Sequence, residues 1–273
     1  MPAWICLTCG VQHRDTPEPP PSCAICVDER QYVGWEGQQW TTQVDLARDH
    51  TNELREEEPG LVGIGTTPSL AIGQRALLVR TQSGNVLWDC ISLLDEATVA
   101  AVRQLGGIAA ICASHPHFYG AMIDWAEAFD APVFVPAVDR TWLMRPSDHV
   151  MVWDTETTEP LPGLTLARIG GHFDGAAVLH WPDGAGGRGA LLTGDTITVV
   201  QDRRWVSFMW SYPNLIPLDA DTVTDIARRV SQFRFQRVYG GWWGRVVVDD
   251  GALAVSNSAA RYVARLEGQR PAR

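Results

Sequence analysis

The chain lacks clusters of basic residues and long apolar runs. It has 22 Lys and Arg against 32 Asp and Glu, which gives a formal net charge of −10 at pH 7. Because nucleic-acid binding relies on clustered Lys and Arg, we expect no nucleic-acid partner. No apolar run reaches the ~18 residues that span a bilayer, so we expect no membrane partner either. Residues 1–9 also lack the basic and apolar regions of a secretion signal, which favours a cytoplasmic location.

Neither apolar nor charged residues are depleted in the way that marks fibrous or disordered chains. Apolar residues make up 45% and charged residues 20% of the 273 positions, as in ordinary globular proteins. A chain of this length buries roughly three quarters of the surface that it exposes when unfolded. It therefore fits one large domain, or a small module joined to a larger domain.

Cysteine is also scarce, but its arrangement is informative. Four of the six cysteines form two C-x2-C pairs: Cys6, Cys9, Cys23 and Cys26. A chain that builds a full core has little need of disulfides, so such pairs indicate a metal site. Each pair aims two thiolates at one ion, and together they supply the four ligands of a closed tetrahedral site. We expect the other two cysteines, Cys90 and Cys112, to be buried free thiols.

Residues 1–35 resemble a zinc ribbon, with a proline-rich loop at residues 10–22 between the two cysteine pairs. They also resemble rubredoxin, which holds iron on two such pairs, although here the loop is short and Val27 stands where rubredoxins have glycine. The predicted ion is therefore zinc, with iron as the alternative. A structural role is favoured, because so short a segment cannot build a core of its own. Recognition of a protein partner, or a lid over the main site, are the alternatives.

Two further segments follow this module. Residues 36–72 are predicted to be a connecting segment that packs on the main domain, and residues 36–60 are polar and acidic, which indicates a short helix or an irregular connection. Residues 73–273 are predicted to form the main domain, because strand-like and helix-like stretches alternate along them in two similar halves. The polar motifs of this domain fall at the ends of the strand-like stretches.

Four residues of metal-ligand type lie at such strand ends: His115, His117, His172 and Asp195. In the His-x-His pair the two imidazoles lie on the same side of the chain, because side chains alternate with period two. A third histidine and a carboxylate from distant loops complete the ligand set of a hydrolytic zinc site, which keeps an open position for water. The sequence thus predicts a second metal site, with Asp195 as a fourth ligand or as a base.

The chain resembles the metallo-β-lactamase-fold superfamily of metallohydrolases over residues 73–245. The motifs that carry the resemblance are VLWD at 86–89, SHPH at 114–117, GGH at 170–172 and TGDT at 193–196. The resemblance implies an α/β (α+β) fold, a four-layer αββα sandwich of two packed sheets between outer helices, with the metals at one edge. It also implies hydrolysis of β-lactams, thioesters, lactones, phosphodiesters or related bonds.

The chain departs from this family at the ligands of the second metal. The family motif H-x-H-x-D-H ends here in Tyr119 and Gly120, and the last metal histidine is missing from the corresponding GGWWG stretch at 240–244. The resemblance therefore implies a mononuclear site on three histidines. We expect Tyr119 and Trp242 to fill the vacated pocket, either as packing residues or, for Tyr119, as a hydrogen-bond donor to a substrate oxyanion.

Two other residues are predicted to lie around the site. Asp89 often supports the metal ligands of this fold without binding the ion, and we expect that role here. Tyr212, in the Ser-Tyr-Pro stretch at 211–213, is a weaker candidate for the wall of the pocket.

The leading hypothesis is a zinc-dependent hydrolase of a small-molecule ester, thioester, lactone, amide or phosphodiester, with one zinc in each site. One Zn²⁺ on three histidines lowers the pKa of its water to roughly 7, and Asp195 would orient or deprotonate that water. A non-catalytic binding protein is the rival, because a pseudoenzyme also loses metal ligands. A third hypothesis is an iron-dependent redox protein. The fold alone does not decide between these classes.

Overall fold

The structure, a computed structural model, describes residues 1–269. The α-helices in this range are α1 Gln43–Asp49, α2 Glu96–Gln104, α3 Met122–Phe129, α4 Gly184–Gly187, α5 Ala220–Val230 and α6 Gly251–Leu266, and short 3-10 helices span Pro116–Phe118 and Ala137–Trp142. The strands are β1 Ala3–Cys6, β2 Gln12–Asp15, β3 Trp40–Thr41, β4 Thr51–Glu58, β5 Leu61–Thr67, β6 Arg75–Thr81, β7 Gly84–Trp88, β8 Ala110–Cys112, β9 Val133–Pro136, β10 Val150–Trp153, β11 Thr157–Thr158, β12 Thr165–Arg168, β13 Ala177–Trp181, β14 Ala190–Gly194, β15 Thr198–Val199, β16 Val206–Ser207, β17 Met209–Ser211, β18 Ile216–Pro217, β19 Arg237–Gly240 and β20 Val246–Val247. Across this range, no helix has both the length and the apolar character of a membrane-crossing segment.

Two sheets form the body of the molecule. The first has seven strands in the order β10-β9-β8-β7-β6-β5-β4, and the second has six strands in the order β11-β12-β13-β14-β19-β20. In the first sheet, neighbouring strands from β4 to β7 are antiparallel and those from β7 to β10 are parallel. In the second sheet, β14 and β19 are parallel and the other pairs are antiparallel. The polar motifs lie on the loops that leave β8, β12 and β14.

The core lies between these sheets and on their outer faces. Strand β6 contributes to both parts of the core, because its side chains alternate between the two faces of the sheet. Leu77 and Val79 lie in the cluster between the sheets, whereas Ala76 and Leu78 lie in the cluster under α2 and α3. An unbroken apolar run is typical of a strand buried on both faces. Helices α5 and α6 cover the second sheet through residues such as Val223. The predicted four-layer αββα sandwich is therefore confirmed.

Residues 36–72 contain more regular structure than the sequence indicated. Helix α1 is the short helix expected there, but β4 and β5 extend the first sheet, so the expectation of an irregular connection up to residue 60 is wrong. Strand β4 is an edge strand, and its many charged residues, which protect sheet edges, conceal its strand character. Strand β5 contains Gly63 and Gly65, where an added Cβ would lie 2.5–2.7 Å from the Trp243 ring. Glycine inside a strand marks such a close approach.

The N-terminal module shares a core with the main domain. Strands β1, β2 and β3 form its small sheet, and its four cysteines lie in the same apolar cluster as Ile123 of α3. Two hydrogen bonds connect the module to the main domain. The Gln12 backbone N–H donates to the Gly120 carbonyl at 3.0 Å, and Ser92 Oγ donates to the Gly10 carbonyl at 2.7 Å. The module therefore packs on the outer face of the first sheet, beside α3.

Candidate metal centres

The first candidate centre, the His site, is built by loops at the ends of three strands. His115 and His117 follow β8, His172 lies between β12 and β13, and Asp195 follows β14. His115 has an extended backbone, and the 3-10 helix Pro116–Phe118 begins directly after it. This turn brings the centroid of the His117 ring to 5.1 Å from that of His115. The fold thus places the four side chains at one edge of the sandwich.

The ligand atoms of these side chains lie close together. Each histidine has a ring nitrogen within 4.8 Å of the other two, and His117 Nδ1 is 3.1 Å from His172 Nε2. Asp195 Oδ1 lies 3.1 Å from His115 Nε2 and 4.0 Å from His172 Nε2. A tetrahedral ion with nitrogen ligands at about 2.0–2.1 Å keeps neighbouring ligand atoms about 3.3–3.4 Å apart. The measured spacings bracket that separation.

Two of these atoms are buried without a hydrogen-bond partner among residues 1–269: His115 Nε2 and Asp195 Oδ1. They are 3.1 Å apart, but they are not aligned as a hydrogen bond. A buried polar atom without a partner costs free energy, and a cation between the two atoms would satisfy both. The three imidazoles therefore fit a divalent metal ion, with the Asp195 carboxylate beside two of them.

Burial keeps the imidazoles neutral. It lowers the pKa of His115 and His117 well below the usual range, and the neighbouring His172 lowers the pKa of both further. Burial also lowers the pKa of His172 to about 4. Neutral imidazole is the form that binds a metal ion. Burial raises the pKa of Asp195 to about 8, with a smaller contribution from the charge of Asp89, and a nearby cation would favour the carboxylate again.

Hydrogen bonds fix the orientation of two of the rings. The Met209 carbonyl oxygen lies 3.0 Å from His172 Nδ1. Because a carbonyl oxygen only accepts, His172 Nδ1 carries the proton and Nε2 presents its lone pair to the site. Ser114 Oγ lies 3.0 Å from His115 Nδ1 and supports that ring in the same way. Such outer hydrogen bonds orient metal ligands and tune their basicity.

Asp89 and Tyr212 lie behind the ligands. Asp89 Oδ1 accepts a hydrogen bond from the Ser114 backbone N–H at 2.7 Å, and burial raises the pKa of Asp89 to about 7. The Tyr212 hydroxyl donates to the backbone carbonyl of Asp195 at 2.7 Å. Asp89 therefore acts on His115 through Ser114, and Tyr212 acts on the loop that carries Asp195.

The position of the second-metal histidine has no room for a side chain. Gly120 has a φ of 49°, and an added Cβ would lie 2.7 Å from the Cys90 carbonyl oxygen and 2.8 Å from that of Ile91. These are backbone atoms, which cannot rotate aside as a flexible side chain can. A side chain at this position, where the motif has histidine, would therefore clash with the backbone.

A phenylalanine ring lies next to the histidines on this side. The centroid of Phe118 is 5.1 Å from that of His115 and 5.6 Å from that of Trp242, whose indole N–H donates to the Ile72 carbonyl at 2.8 Å. Tyr119 lies instead in the core cluster with the four cysteines, and its hydroxyl has no hydrogen-bond partner within residues 1–269. This placement favours packing over the oxyanion-donor alternative for Tyr119. No sequence motif indicated Phe118.

The second candidate centre, the four-cysteine site, is compact. The sulfurs of Cys6 and Cys26 are 3.5 Å apart, and those of Cys9 and Cys23 are 3.7 Å apart. All four sulfurs lie within 4.8 Å of one another and are buried. A tetrahedral ion with sulfur ligands at about 2.3 Å separates the sulfurs by about 3.8 Å. This site also fits a metal ion.

Two polar side chains contact these sulfurs from outside the cysteine pairs. His13 Nε2 lies 3.4 Å from Cys23 Sγ, and Gln38 Nε2 donates to Cys6 Sγ at 3.2 Å. The Gln38 side-chain oxygen also accepts from the Cys23 backbone N–H at 3.0 Å. Hydrogen bonds to a thiolate stabilise its charged form. The sequence indicated neither residue, because both contacts depend on the path of the loops.

One residue of the module reaches the His site. Arg30 is buried, and its Nη1 donates to the His172 carbonyl at 3.3 Å. An arginine that follows the second cysteine pair has no distinctive pattern in the sequence, so this contact was not predicted. The ligand side chains beneath the module are 1–5% exposed: His115, His117, His172 and Asp195.

Similarity to known proteins is of two kinds. No protein-family model matches the chain, but the uncharacterized protein YmaE of Bacillus subtilis (strain 168) is 50% identical to it over 271 residues, 98% of each chain. Among solved structures, VMB-1 superposes with a TM-score of 0.59 at 12% identity, covering 79% of this chain and 98% of its own. The metallo-β-lactamase DIM-1 gives 0.58 at 14% identity, covering 77% and 96%, and the metallo-β-lactamase SMB-1 gives 0.52 at 16%, covering 77% and 93%. At these identities, the likeness to the solved structures is one of fold.

Proposed function

We propose that this chain, which belongs to the same family as Bacillus subtilis YmaE and has the metallo-β-lactamase fold, is a hydrolase that uses one zinc ion held by His115, His117 and His172. The observation that carries the proposal is the convergence of three buried imidazoles, with an Asp195 oxygen that lies 3.1 Å from His115 Nε2 and has no hydrogen-bond partner among the described residues. Three protein ligands with a further open position are the pattern of catalytic zinc. A second zinc in the four-cysteine site has a structural role.

The residues around the His site have separate roles in the proposed hydrolysis. When bound, a zinc ion polarises a carbonyl or phosphoryl oxygen and lowers the pKa of water to roughly 7. Asp195 Oδ1, which is 3.1 Å from His115 Nε2, takes the proton of the attacking water. Tyr212 holds the backbone of Asp195, and Ser114 holds the His115 ring, so both functional groups keep their orientation through the reaction.

The substrates that we propose are small molecules with an ester, thioester, lactone, amide or phosphodiester bond. The histidine side chains are at most 3% exposed, which favours a small reactive group over a bulky polymer. Four metal-binding thiolates require a reducing compartment, and this is our basis for proposing a cytoplasmic location.

A non-catalytic role is the second candidate, and the burial of the His site favours it. Arg30 and the rings around it cover the loop of His172. If Arg30 and these rings prevent substrates from reaching the histidines, an ion bound there stabilises the fold without catalysis. Binding of a small chelating inhibitor at the His site would show an accessible coordination position and support the hydrolase.

The first test is metal content and hydrolysis. We expect elemental analysis to find two zinc ions per chain in protein purified without added metal. The same preparation is then assayed against chromogenic esters, thioesters, lactones and phosphodiesters. Two zinc ions without hydrolysis of any substrate would favour the non-catalytic role.

The decisive variant is His117→Ala. We expect it to lose one zinc ion and at least about a hundredfold of the hydrolysis, because a ligand contributes more than the outer hydrogen bonds that support it. His149→Ala is the matched control, since this histidine lies outside both metal sites, with its ring 4.0 Å from Asp130. If His117→Ala keeps its activity on every substrate that the native protein cleaves, the mechanism is wrong.

A further inference from the structure

The four-cysteine module contributes a buried arginine to the His site. We propose that Arg30 is a positioning residue that holds the His172 loop and closes the site, so that the ion in the module controls retention of the ion at the histidines. The proposal rests on the proposed function in one respect, namely that the histidines hold an ion.

Arg30 contacts the His172 loop at two neighbouring residues. Its Nη1 donates to the backbone carbonyl of His172 at 3.3 Å. Its guanidinium carbon lies 3.8 Å from the centroid of the Phe173 ring, a distance at which cation–π attraction operates. Phe173 in turn packs against His115 and His117, with centroid distances of 5.5 and 5.0 Å. Arg30 is therefore in a position to hold this loop against the other two histidines.

Two tryptophans complete the surroundings of this arginine. The guanidinium carbon lies 4.7 Å from the Trp210 ring and 5.3 Å from the Trp142 ring. Trp210 belongs to β17, next to Met209, whose carbonyl fixes the His172 ring. The arginine side chain thus fills an aromatic enclosure directly over the His172 loop, and only 8% of Arg30 is exposed.

Asp28 fixes the orientation of the guanidinium. Its two oxygens accept from Arg30 Nε at 2.6 Å and from Nη2 at 2.9 Å. A bidentate pair of this kind sets the plane of the group as well as its charge. The remaining nitrogen, Nη1, is the one that points at the His172 carbonyl. Since the charge is already paired, the contribution of Arg30 to the site is geometric.

The backbone around Arg30 is tied to the loop that also holds Asp195. Ser211 Oγ donates to the Arg30 carbonyl at 3.1 Å, and Asn214 Nδ2 donates to the carbonyls of Glu29 and Gln31 at 3.0 and 3.3 Å. Tyr212, between these two anchors, donates to the Asp195 carbonyl. One loop therefore links the module to both His172 and Asp195.

The module's own ion would restrain this segment in addition to the hydrogen bonds from Ser211 and Asn214. The second cysteine turn is closed by hydrogen bonds from the Cys26 and Val27 N–H groups to the Cys23 carbonyl, at 3.0 and 3.1 Å. Arg30 follows this turn directly, in a stretch without helix or strand. Small metal modules are ordered by their ion. Loss of that ion releases the segment and with it the cover over the histidines.

The chain contains a natural control for this arrangement. Asp202 and Arg204 have the same spacing and the same bidentate pairing, with distances of 2.9 and 2.7 Å. That pair is exposed, with 83% of the Arg204 side chain accessible. The two arginines therefore differ in surroundings and not in local motif, and Arg204→Ala controls for the loss of an ion pair as such.

The experiment loads both sites of the full chain with Co²⁺. Thiolate-bound cobalt gives an intense near-ultraviolet band and visible bands at long wavelength, whereas imidazole-bound cobalt gives weaker visible bands at shorter wavelength. The near-ultraviolet band therefore follows the four-cysteine site, and the shorter-wavelength visible bands follow the His site. We expect Arg30→Ala to shift the shorter-wavelength visible bands and to lose them at least about tenfold faster in EDTA, as changes in outer contacts of metal ligands do. The near-ultraviolet band should stay, and Arg204→Ala should match the native chain.

Conservative variants keep the test independent of folding. Arg30→Lys retains the charge but not the planar fork, and we expect an intermediate rate of loss of the shorter-wavelength visible bands. Cys23→Ser should accelerate the same loss although it leaves the histidines intact. Native rates in Arg30→Ala and Arg30→Lys, with unchanged shorter-wavelength visible bands, would overturn the inference alone. A native chain that develops only the thiolate bands, without the shorter-wavelength visible bands of imidazole-bound cobalt, would overturn the proposed function instead, because its histidines would then hold no ion.

Discussion

The two candidate metal sites of this molecule are built in opposite ways. The four cysteines come from two turns within residues 6–26, whereas the ligands of the His site are spread over residues 115–195 and meet only because two sheets bring their loops together. Each cysteine sulfur contacts another sulfur, while the His site keeps a buried carboxylate oxygen without a hydrogen-bond partner among residues 1–269. The first arrangement is that of a closed four-ligand site, whereas the second leaves a buried polar atom that a bound ion would satisfy.

The largest effect tests whether the N-terminal module and the main domain unfold as one unit. We expect Cys23→Ser to lose one ion and to lower the free energy of unfolding of the whole chain by about 3–5 kcal/mol, because losing a structural metal is among the most destabilising changes and the cysteines share a core with α3. Denaturant unfolding followed by far-ultraviolet circular dichroism measures this. Cys112→Ser, a buried thiol outside both sites, should keep both ions. An early transition of the module alone, with the main transition unchanged, would contradict the shared core.

A smaller effect tests whether Gly120 prevents binding of a second metal ion at the His site. Gly120→His would reinstate the family's second-metal residue, but we expect it to destabilise the chain by about 2–4 kcal/mol through backbone clash and strain, without binding an additional ion. Gly186→His is the matched control, because Gly186 has a similar φ of 66° and no atom within 4 Å of an added Cβ. Thermal unfolding and elemental analysis distinguish the two. An additional ion at native stability would show that the second site can be restored.

The smallest effect concerns the support of the His site. Tyr212→Phe removes the hydrogen bond to the Asp195 carbonyl, and we expect kcat/KM to fall about three- to tenfold, as one hydrogen bond is worth about 1 kcal/mol. Tyr239→Phe is the control, since its hydroxyl accepts a 3.3 Å hydrogen bond from Arg237 and not from a residue of the His site. Steady-state kinetics on the best substrate of the panel measures both. Equal values for the two variants would mean that Tyr212 does not hold Asp195 in place for the reaction.

The two sites also differ in how far they could be predicted. The cysteine pairs are short and local, and the motifs around His115, His172 and Asp195 each follow a strand, so the sequence indicated them directly. Arg30 and Phe118 carry no such pattern, because their roles arise from contacts between segments that are distant in the chain. A residue of this second kind becomes visible only once the fold has assembled its neighbours.

The fold as a whole was predictable where burial alone produces a pattern. Strand β6 is apolar on both faces and stands out in the sequence, and the helices that cover the sheets have a clear apolar side. Strand β4 was not predicted from the sequence because this edge strand is rich in charged residues, and β5 was not predicted because it contains the glycines that make room for Trp243. In β4 the position at the sheet edge, and in β5 the contact with Trp243, decides the residue type rather than local preference.

The different spread of the two ligand sets along the chain has a consequence for biosynthesis. A ribosome makes the N-terminal part first, at about 5–20 residues per second, so all four thiolates emerge while most of the first sheet is still unmade. The His site exists only after β14 and the Asp195 loop have been translated. The order in which the two candidate centres become available to an ion therefore follows the direction of translation: the four thiolates are present on the nascent chain, whereas the imidazole centre forms only after the chain has folded.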